Sequence, residues 1–381
     1  MGEIEKDDLS RYICHFKGDK DQPTLFFVCG IHGNEPMSVL AMEEISKEIK
    51  IQNIRINGTF IGIRGNIKAL NINERYIDYD LNRIWLKDEP NKETEISERI
   101  NELAEKDEIL SIIDDLLFDK KQNEVIIFDL HSTSSPSVPF ITINDTISNR
   151  SIAKKYPLAT VFGIEEFLNG PLLSYINELG FNAVGFEGGQ HVDPNTKENH
   201  KAFIWLSLAN EEVISQDLIQ VKKARERLKK LSKDAYKFFE ITYRHEVFPE
   251  DQFKMNKGFN NFQAIKKDIP LAQSNDREIV SKWNNRIFMP LYQSKGDDGF
   301  FIIRRIPAFF LGISKFLRRY HFERFLTLFP GVAIFDEKKH ILVVNNNVAR
   351  ILRNEIFHLF GFRQKIRHSK DLTLYIRREK Q

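Results

Sequence analysis

Three short segments carry polar residues that folding alone does not demand. In Gly30-Ile31-His32-Gly33-Asn34-Glu35-Pro36 an imidazole and a carboxylate stand three residues apart. The apolar run 25–29 precedes them, and Pro36 is suited to open a helix after them. One tight turn can therefore aim His32 and Glu35 at a single point, while the flanking glycines let the backbone approach closely. Phe128-Asp129-Leu130-His131-Ser132-Thr133 follows a second apolar run, 125–128, and puts His131 at its carboxyl end. That is where open α/β sheets bind ligands. Two imidazoles and one carboxylate leave a position open on a tetrahedral Zn²⁺, as catalytic rather than structural sites do. Asp129 can orient a ligand histidine from behind. In the third segment, Gly185-Phe186-Glu187-Gly188-Gly189, a carboxylate ends another apolar run. Beside a metal-activated water such a glutamate can take a proton and hand it to a leaving nitrogen. Each signal is weak alone. A single histidine at a strand end is more often a satisfied polar residue, and Glu187 by itself reads as a surface turn. Their shared position at the ends of apolar strands gives them weight.

Between these segments lies Asn73-Glu74-Arg75-Tyr76-Ile77-Asp78-Tyr79-Asp80-Leu81-Asn82-Arg83. A guanidinium there can clamp a substrate carboxylate or stabilise a developing oxyanion. The plainer reading is a loop of surface ion pairs, with Asp78 and Asp80 as partners.

The elements that must hold these residues alternate. Apolar runs at 25–29, 59–63, 125–128 and 182–186 predict buried strands. Helical spacing follows Pro36, covers 92–120, and returns over 203–240 as one longer helical region. Such alternation implies an α/β layered domain over 1–240. Residues 241–305, with Pro and Gly between short apolar runs, predict a smaller β-rich second domain. Residues 306–381 form a basic aromatic extension, and 331–381 read as a hairpin, a short helix and a last strand.

Composition narrows the classes. The chain has 381 residues, 41% hydrophobic and 29% charged, with 31 Phe. That is globular and not disordered. Cys14 and Cys29 are too few for a disulfide framework. No run is apolar enough for a transmembrane helix and no secretory signal is visible, so a cytoplasmic location is expected. The net charge of +2 hides an asymmetry: residues 301–381 hold 17 Lys and Arg against 6 Asp and Glu.

Five motifs now stand in one order: His32-Gly33-Asn34-Glu35-Pro36, Gly65-Asn66-Ile67-Lys68-Ala69, the 75–83 segment, Asp129-Leu130-His131-Ser132-Thr133, and Glu187-Gly188. The series resembles that of the succinylglutamate desuccinylase/aspartoacylase family, relatives of the zinc carboxypeptidases. The resemblance is clear over about 23–190 and looser to about 305. It implies a three-layer α/β/α domain with a mixed sheet. It also implies one Zn²⁺ per chain on His32, Glu35 and His131, with Glu187 as general base and then acid. Arg75 would stabilise the oxyanion, Asn82 and Arg83 would hold a substrate carboxylate, and Tyr292 is the candidate for a tyrosine from the second domain. One departure bears on the substrate. Relatives supply a further arginine just before the catalytic glutamate, whereas 172–186 contains no Arg or Lys.

The expectation is a zinc-dependent amidohydrolase acting on an N-acyl amino acid, less charged than the family's usual substrates. The rivals are a zinc carboxypeptidase acting on peptides, and a membrane-associated binding protein that keeps the pocket. No nucleic-acid partner is expected, and a homo-oligomer stays open. After Pro307, apolar residues at near-helical spacing alternate with Lys315, Arg318 and Arg319. Such a segment can lie on an anionic membrane, but packing against the acidic body is the preferred reading.

Overall fold

The computed structural model describes residues 9–18, 23–86, 100–118, 124–168, 170–232, 238–336, 340–348, 354–369 and 371–377. The four predicted strands lie side by side at the centre. They are β2 (Thr24–Cys29), β3 (Thr59–Arg64), β4 (Val125–Thr133) and β7 (Asn182–Gln190), parallel in the order β3-β2-β4-β7. Continuous apolar runs suit strands covered on both faces. The even residues of β2, Phe26 and Val28, pack with α3 (Asn101–Leu117) and α6 (Leu172–Glu178). The odd ones, Leu25, Phe27 and Cys29, pack with α1 (Met37–Ile51), α7 (Pro194–Asn210) and α8 (Ile219–Leu231). This is the expected α/β/α layering.

Several phenylalanines meet in the second of these layers. Phe27 stacks on Phe128 with centroids 4.7 Å apart, and Phe186 stacks on Phe203 at 4.0 Å. Phe128 meets Phe203 edge-on at 5.7 Å, which joins β2, β4 and β7 to α7. Full burial of each ring contributes about 1.5–3 kcal/mol. The strands that carry the candidate site therefore rest on a continuous aromatic core.

The sheet is wider than the apolar runs predict. β1 (Tyr12–Lys17) adds to β3 on one side. On the other, β5 (Phe140–Ile143) is antiparallel to β7, and β6 (Ala159–Phe162) and β8 (Phe238–Glu246) follow. Then β14 (Asp298–Ile306), β13 (Asn285–Phe288) and β10 (Ala264–Ile265) complete a mixed sheet of eleven strands. The β-rich region thus continues the main sheet through β8 and β14. Only β9 (Lys254–Met255), β11 (Pro270–Ser274) and β12 (Arg277–Val280) form a separate small sheet within it.

Two expectations need correction. The helical region predicted over 203–240 is α7 and α8 with a turn between them, and by Phe238 the chain is already a strand. After α9 (Ala308–Arg319), the last part has β15 (Val332–Asp336), β16 (Ile341–Asn345), α10 (Asn354–Leu359), β17 (Gln364–Arg367) and β18 (Leu372–Ile376). That is one strand more than predicted, because Gln364-Lys365-Ile366-Arg367 offers a single apolar residue to a pattern search. Smaller helices α2 (Ile67–Ile72), α4 (Ile147–Ala153) and α5 (Ile164–Phe167) link the strands. The early part of the predicted helix over 92–120 lies outside the described residues, and α3 occupies 101–117.

The basic extension meets the body through buried ion pairs. Arg363 reaches Asp145 at 2.5 Å, Glu166 at 3.0 Å and Glu240 at 3.3 Å, and Arg318 reaches Asp145 at 3.0 Å. These contacts accord with the preferred reading of the extension as packed on the acidic body.

Candidate metal centre and active site

Strand register brings the chemistry together. Val28 pairs with Asp129 and Cys29 with Leu130, so β2 and β4 end at one level. His131 pairs with Glu187 across β4 and β7. The turn after β2 then brings His32 and Glu35 to the same end. Gly33 makes this turn feasible, since a Cβ there would fall 2.1 Å from the backbone of Ala69. Gly30 turns the chain with φ +66°, a left-handed conformation that glycine adopts without strain.

Donor atoms of His32, Glu35 and His131 lie within 4.8 Å of one another, and all three residues are buried. Glu35 lies between the imidazoles, with Oε1 2.9 Å from His32 Nδ1 and Oε2 3.4 Å from His131 Nδ1. The other ring nitrogens are held from behind. Asp80 Oδ1 is 3.0 Å from His32 Nε2, and Asp129 Oδ2 is 2.8 Å from His131 Nε2. Each ring is thereby fixed with its Nδ1 turned inward, as carboxylate partners of metal-ligating histidines do. The Ser132 N–H also donates to Glu35 Oε2 at 2.7 Å.

The charge balance fits a cation. Glu35, Asp129 and Glu187 are buried carboxylates, and the side chain of Asp80 is nearly covered as well. Near them Arg75 donates to Asp80 Oδ2 at 2.8 Å and lies 3.7 Å from Glu35. Arg83 is committed elsewhere, at 2.7 Å to Asp298. Burial opposes ionisation of Glu35 and Asp80. Even so, His32 and His131 hold Glu35, and Arg75, His32 and Arg83 hold Asp80, well below the usual carboxylate range. Burial also works against charge on His131, but Asp129 and then Glu35 carry its pKa well above the ordinary value. Glu187 behaves oppositely. Burial, with Glu35 and Asp129 adding to it, pushes its carboxyl up to about 8 against the pull of His131 and Arg75. Its Oε2 is buried and has no hydrogen-bond partner among the described residues. A divalent cation on His32, Glu35 and His131 matches both the donor set and the excess of carboxylates.

The arginine loop is positioned by a residue without a sequence signal. Glu102, buried in the first turn of α3, accepts the backbone N–H groups of Ile77, Asp78 and Tyr79 at 2.7, 3.0 and 3.1 Å. This fixes the stretch that presents Arg75, Asp80, Asn82 and Arg83. Asn82 sits behind His131. Its Oδ1 accepts from the Leu172 N–H at 2.8 Å, and its Nδ2 lies 3.5 Å from Asp129 Oδ2. Tyr292 is not brought to the site. Its hydroxyl donates to Asn256 O at 2.8 Å and accepts from Phe259 N at 3.0 Å. Its neighbour Gln293 faces the cleft instead, 3.2 Å from His191 Nε2 and 3.0 Å from Asn34 Nδ2. Sequence reasoning missed Asp80 as a histidine partner, and also Glu102, His191 and Gln293. Only His191 had a usable signal, since it directly follows the strand of Glu187.

The cleft has two small lobes of about 80 Å³ each, and Arg75, Arg83, Ser132 and Met289 line both. Ile164, Leu168 and Leu173 make one wall of the inner lobe apolar.

Asp129→Asn tests the support of the metal set. The variant keeps its shape but turns the partner of His131 Nε2 from anion to amide. Affinity for added Zn²⁺, measured by competition with a chromogenic chelator, is expected to fall about 10–100-fold. Unchanged affinity would remove Asp129 from this role.

Comparison with known proteins finds a family likeness over the residues that hold the site. Residues 21–206 match the model of the succinylglutamate desuccinylase/aspartoacylase catalytic domain. No curated protein matches the sequence. Similar solved structures include a succinylglutamate desuccinylase from Vibrio parahaemolyticus, with TM-score 0.54 and 14% identity over 75% of this chain and 83% of that one. A succinylglutamate desuccinylase/aspartoacylase from Rhodobacter sphaeroides gives TM-score 0.56 and 13% identity over 77% and 88%. The product-bound ectoine utilization protein EutE (DoeB) from Ruegeria pomeroyi gives 0.52 and 15% over 77% and 88%. At these identities the structures establish a shared fold. The family model and the shared fold agree with the five motifs, and over residues 21–206 the chain is similar to the catalytic domain of the succinylglutamate desuccinylase/aspartoacylase family.

Proposed function

We propose that the protein is a zinc-dependent amidohydrolase that releases an amino acid from an N-acyl amino acid, with one Zn²⁺ per chain on His32, Glu35 and His131. The observation that carries this reading is the buried Oε2 of Glu187, without a hydrogen-bond partner among the described residues, on the strand beside His131. A bound Zn²⁺ supplies Lewis acidity and an acidified water. Glu187 receives a proton at its carboxylate and delivers it to the nitrogen that departs as the C–N bond breaks. Arg75, held by Asp80 and lining both lobes, offers its guanidinium to negative charge developing on the carbonyl oxygen. Asn82 keeps Asp129 and His131 in place, and Arg83 at the cleft wall is the candidate for a substrate carboxylate.

The substrate class follows from what the cleft does not offer. No Arg or Lys stands in 172–186, and Arg83 is shared with Asp298. The apolar wall of Ile164, Leu168 and Leu173 suits an uncharged acyl group. We therefore favour an N-acyl amino acid that is uncharged in both its acyl group and its side chain over N-succinyl amino acids and N-acetyl derivatives of acidic ones. The test incubates zinc-loaded protein with acyl amino acids of varied charge and with short peptides, and measures the amino acid released. Turnover of neutral acyl derivatives, abolished by chelation, is expected. Turnover confined to peptides would establish the carboxypeptidase reading instead.

A further inference from the structure

Helix α9 is docked with its faces reversed. It buries Leu311, Ser314 and Arg318, spaced by three and four residues. Ser314 Oγ donates to Leu359 O at 2.7 Å, and Arg318 Nη1 donates to Asp145 O at 2.9 Å, so much of this contact is polar. About half a turn away, at 3.6 residues per turn, stand Phe309, Phe316 and Tyr320. These are 72%, 54% and 59% exposed. A helix on a globular protein normally turns its apolar stripe to the core. Here the stripe faces outward.

The outward face is continuous. The Phe316 ring lies 4.9 Å from Tyr320 and 5.7 Å from Phe322, and Phe322 lies 5.5 Å from Phe325. Phe325 and Leu328 are 56% and 76% exposed, which extends the surface into the 3₁₀ turn Phe322–Leu328. Exposed Lys315, Arg319 and Arg324 flank it. Among the described residues, Lys315 and Arg319 have no ion-pair partner. Aromatic rings favour the boundary between water and hydrocarbon, and basic side chains are drawn to anionic headgroups. Self-association is disfavoured, because a second copy would bring the same unpaired cations face to face.

We infer that α9 and the following turn form a membrane-binding face, with the aromatic side chains seated among the headgroups of an anionic bilayer and Lys315, Arg319 and Arg324 on phosphates. This face is separate from the catalytic cleft and does not depend on the proposed reaction. Among the described residues no helix is long and apolar enough to cross a membrane, so the contact would be peripheral.

Flotation of the full chain tests it, with vesicles of phosphatidylcholine alone or mixed with phosphatidylglycerol. The bound fraction is expected to be about tenfold or more higher on the anionic vesicles and to fall with added salt. Phe309→Ser/Phe316→Ser/Phe325→Ser and, separately, Lys315→Glu/Arg319→Glu should each abolish flotation. Both should keep wild-type thermal unfolding, because the replaced side chains are exposed. Wild-type protein that stays unbound, or binds both vesicle types equally, would overturn the inference. So would a wild-type dimer that the triple Phe variant converts to monomer without any vesicle binding.

Discussion

On the proposed mechanism Glu187→Gln is expected to lower turnover about 10²–10⁴-fold, the range for removing a general acid–base, while the stoichiometry of bound metal stays unchanged. Glutamine has nearly the same shape, and Glu187 is not one of the residues whose donor atoms converge. Its Oε2 makes no hydrogen bond that the amide would lose among the described residues. What disappears is the ability to accept and return a proton. Stability is not expected to suffer. The site already disfavours the charged form of this carboxyl, pushed up to about 8 by burial with Glu35 and Asp129 adding to it. A neutral amide matches the uncharged form that the site already favours. The measurements are steady-state turnover on whichever acyl amino acid the screen identifies, metal content, and thermal unfolding. A fall in kcat with intact zinc and little change in KM assigns proton transfer. Near-wild-type turnover would remove Glu187 from the mechanism, and loss of zinc would make it a ligand.

His32, Glu35, His131 and Glu187 were legible in the sequence because each follows an apolar run, and parallel strands in register must end together. The supporting residues were not. Asp80 is one of two aspartates in a polar loop, and only the folded chain shows that it faces His32 as well as Arg75. Glu102 looks like one more charged residue of a helix, yet it holds three backbone N–H groups far along the chain. Tyr292 had the right type in the right region, but its hydroxyl is used by backbone groups of the β-rich part. The sheet was read as narrower than it is because β5 and β6 have four residues each, too few for a period to emerge. In α9 the spacing predicted the helix correctly. It could not predict the docked face, because an Arg318 pulled inward by Asp145 outweighs the usual rule that apolar stripes face the core.

Asp145→Ala is expected to destabilise the fold by about 3–5 kcal/mol, as measured by urea unfolding. One carboxylate serves three guanidiniums. Arg150 binds it in bidentate fashion, Arg363 Nε reaches it at 2.5 Å, and Arg318 Nη2 at 3.0 Å. Arg363 keeps Glu166 and Glu240 after the mutation, but Arg150, itself buried, loses the carboxylate that binds it in bidentate fashion. Burying charge without a counter-ion is the costly case, unlike a surface pair such as Lys222–Asp217, whose loss should cost at most about 1 kcal/mol. Acid should act on the same cluster. Burial opposes the charge of Asp145, yet Arg150, Arg318 and Arg363 hold its pKa well below the usual range. Glu240 is lowered to about 2 against burial, by His358, Arg363 and Arg304. Depressed folded-state pKa values mean stability that is fully present above the unfolded values of about 4 and is lost as pH falls toward the folded ones. The gap in stability between wild type and Asp145→Ala should therefore be constant near neutrality and narrow as the medium is acidified below about pH 4. A gap that is small at neutral pH, or indifferent to acid, would mean that the extension is held by its apolar contacts and not by this carboxylate.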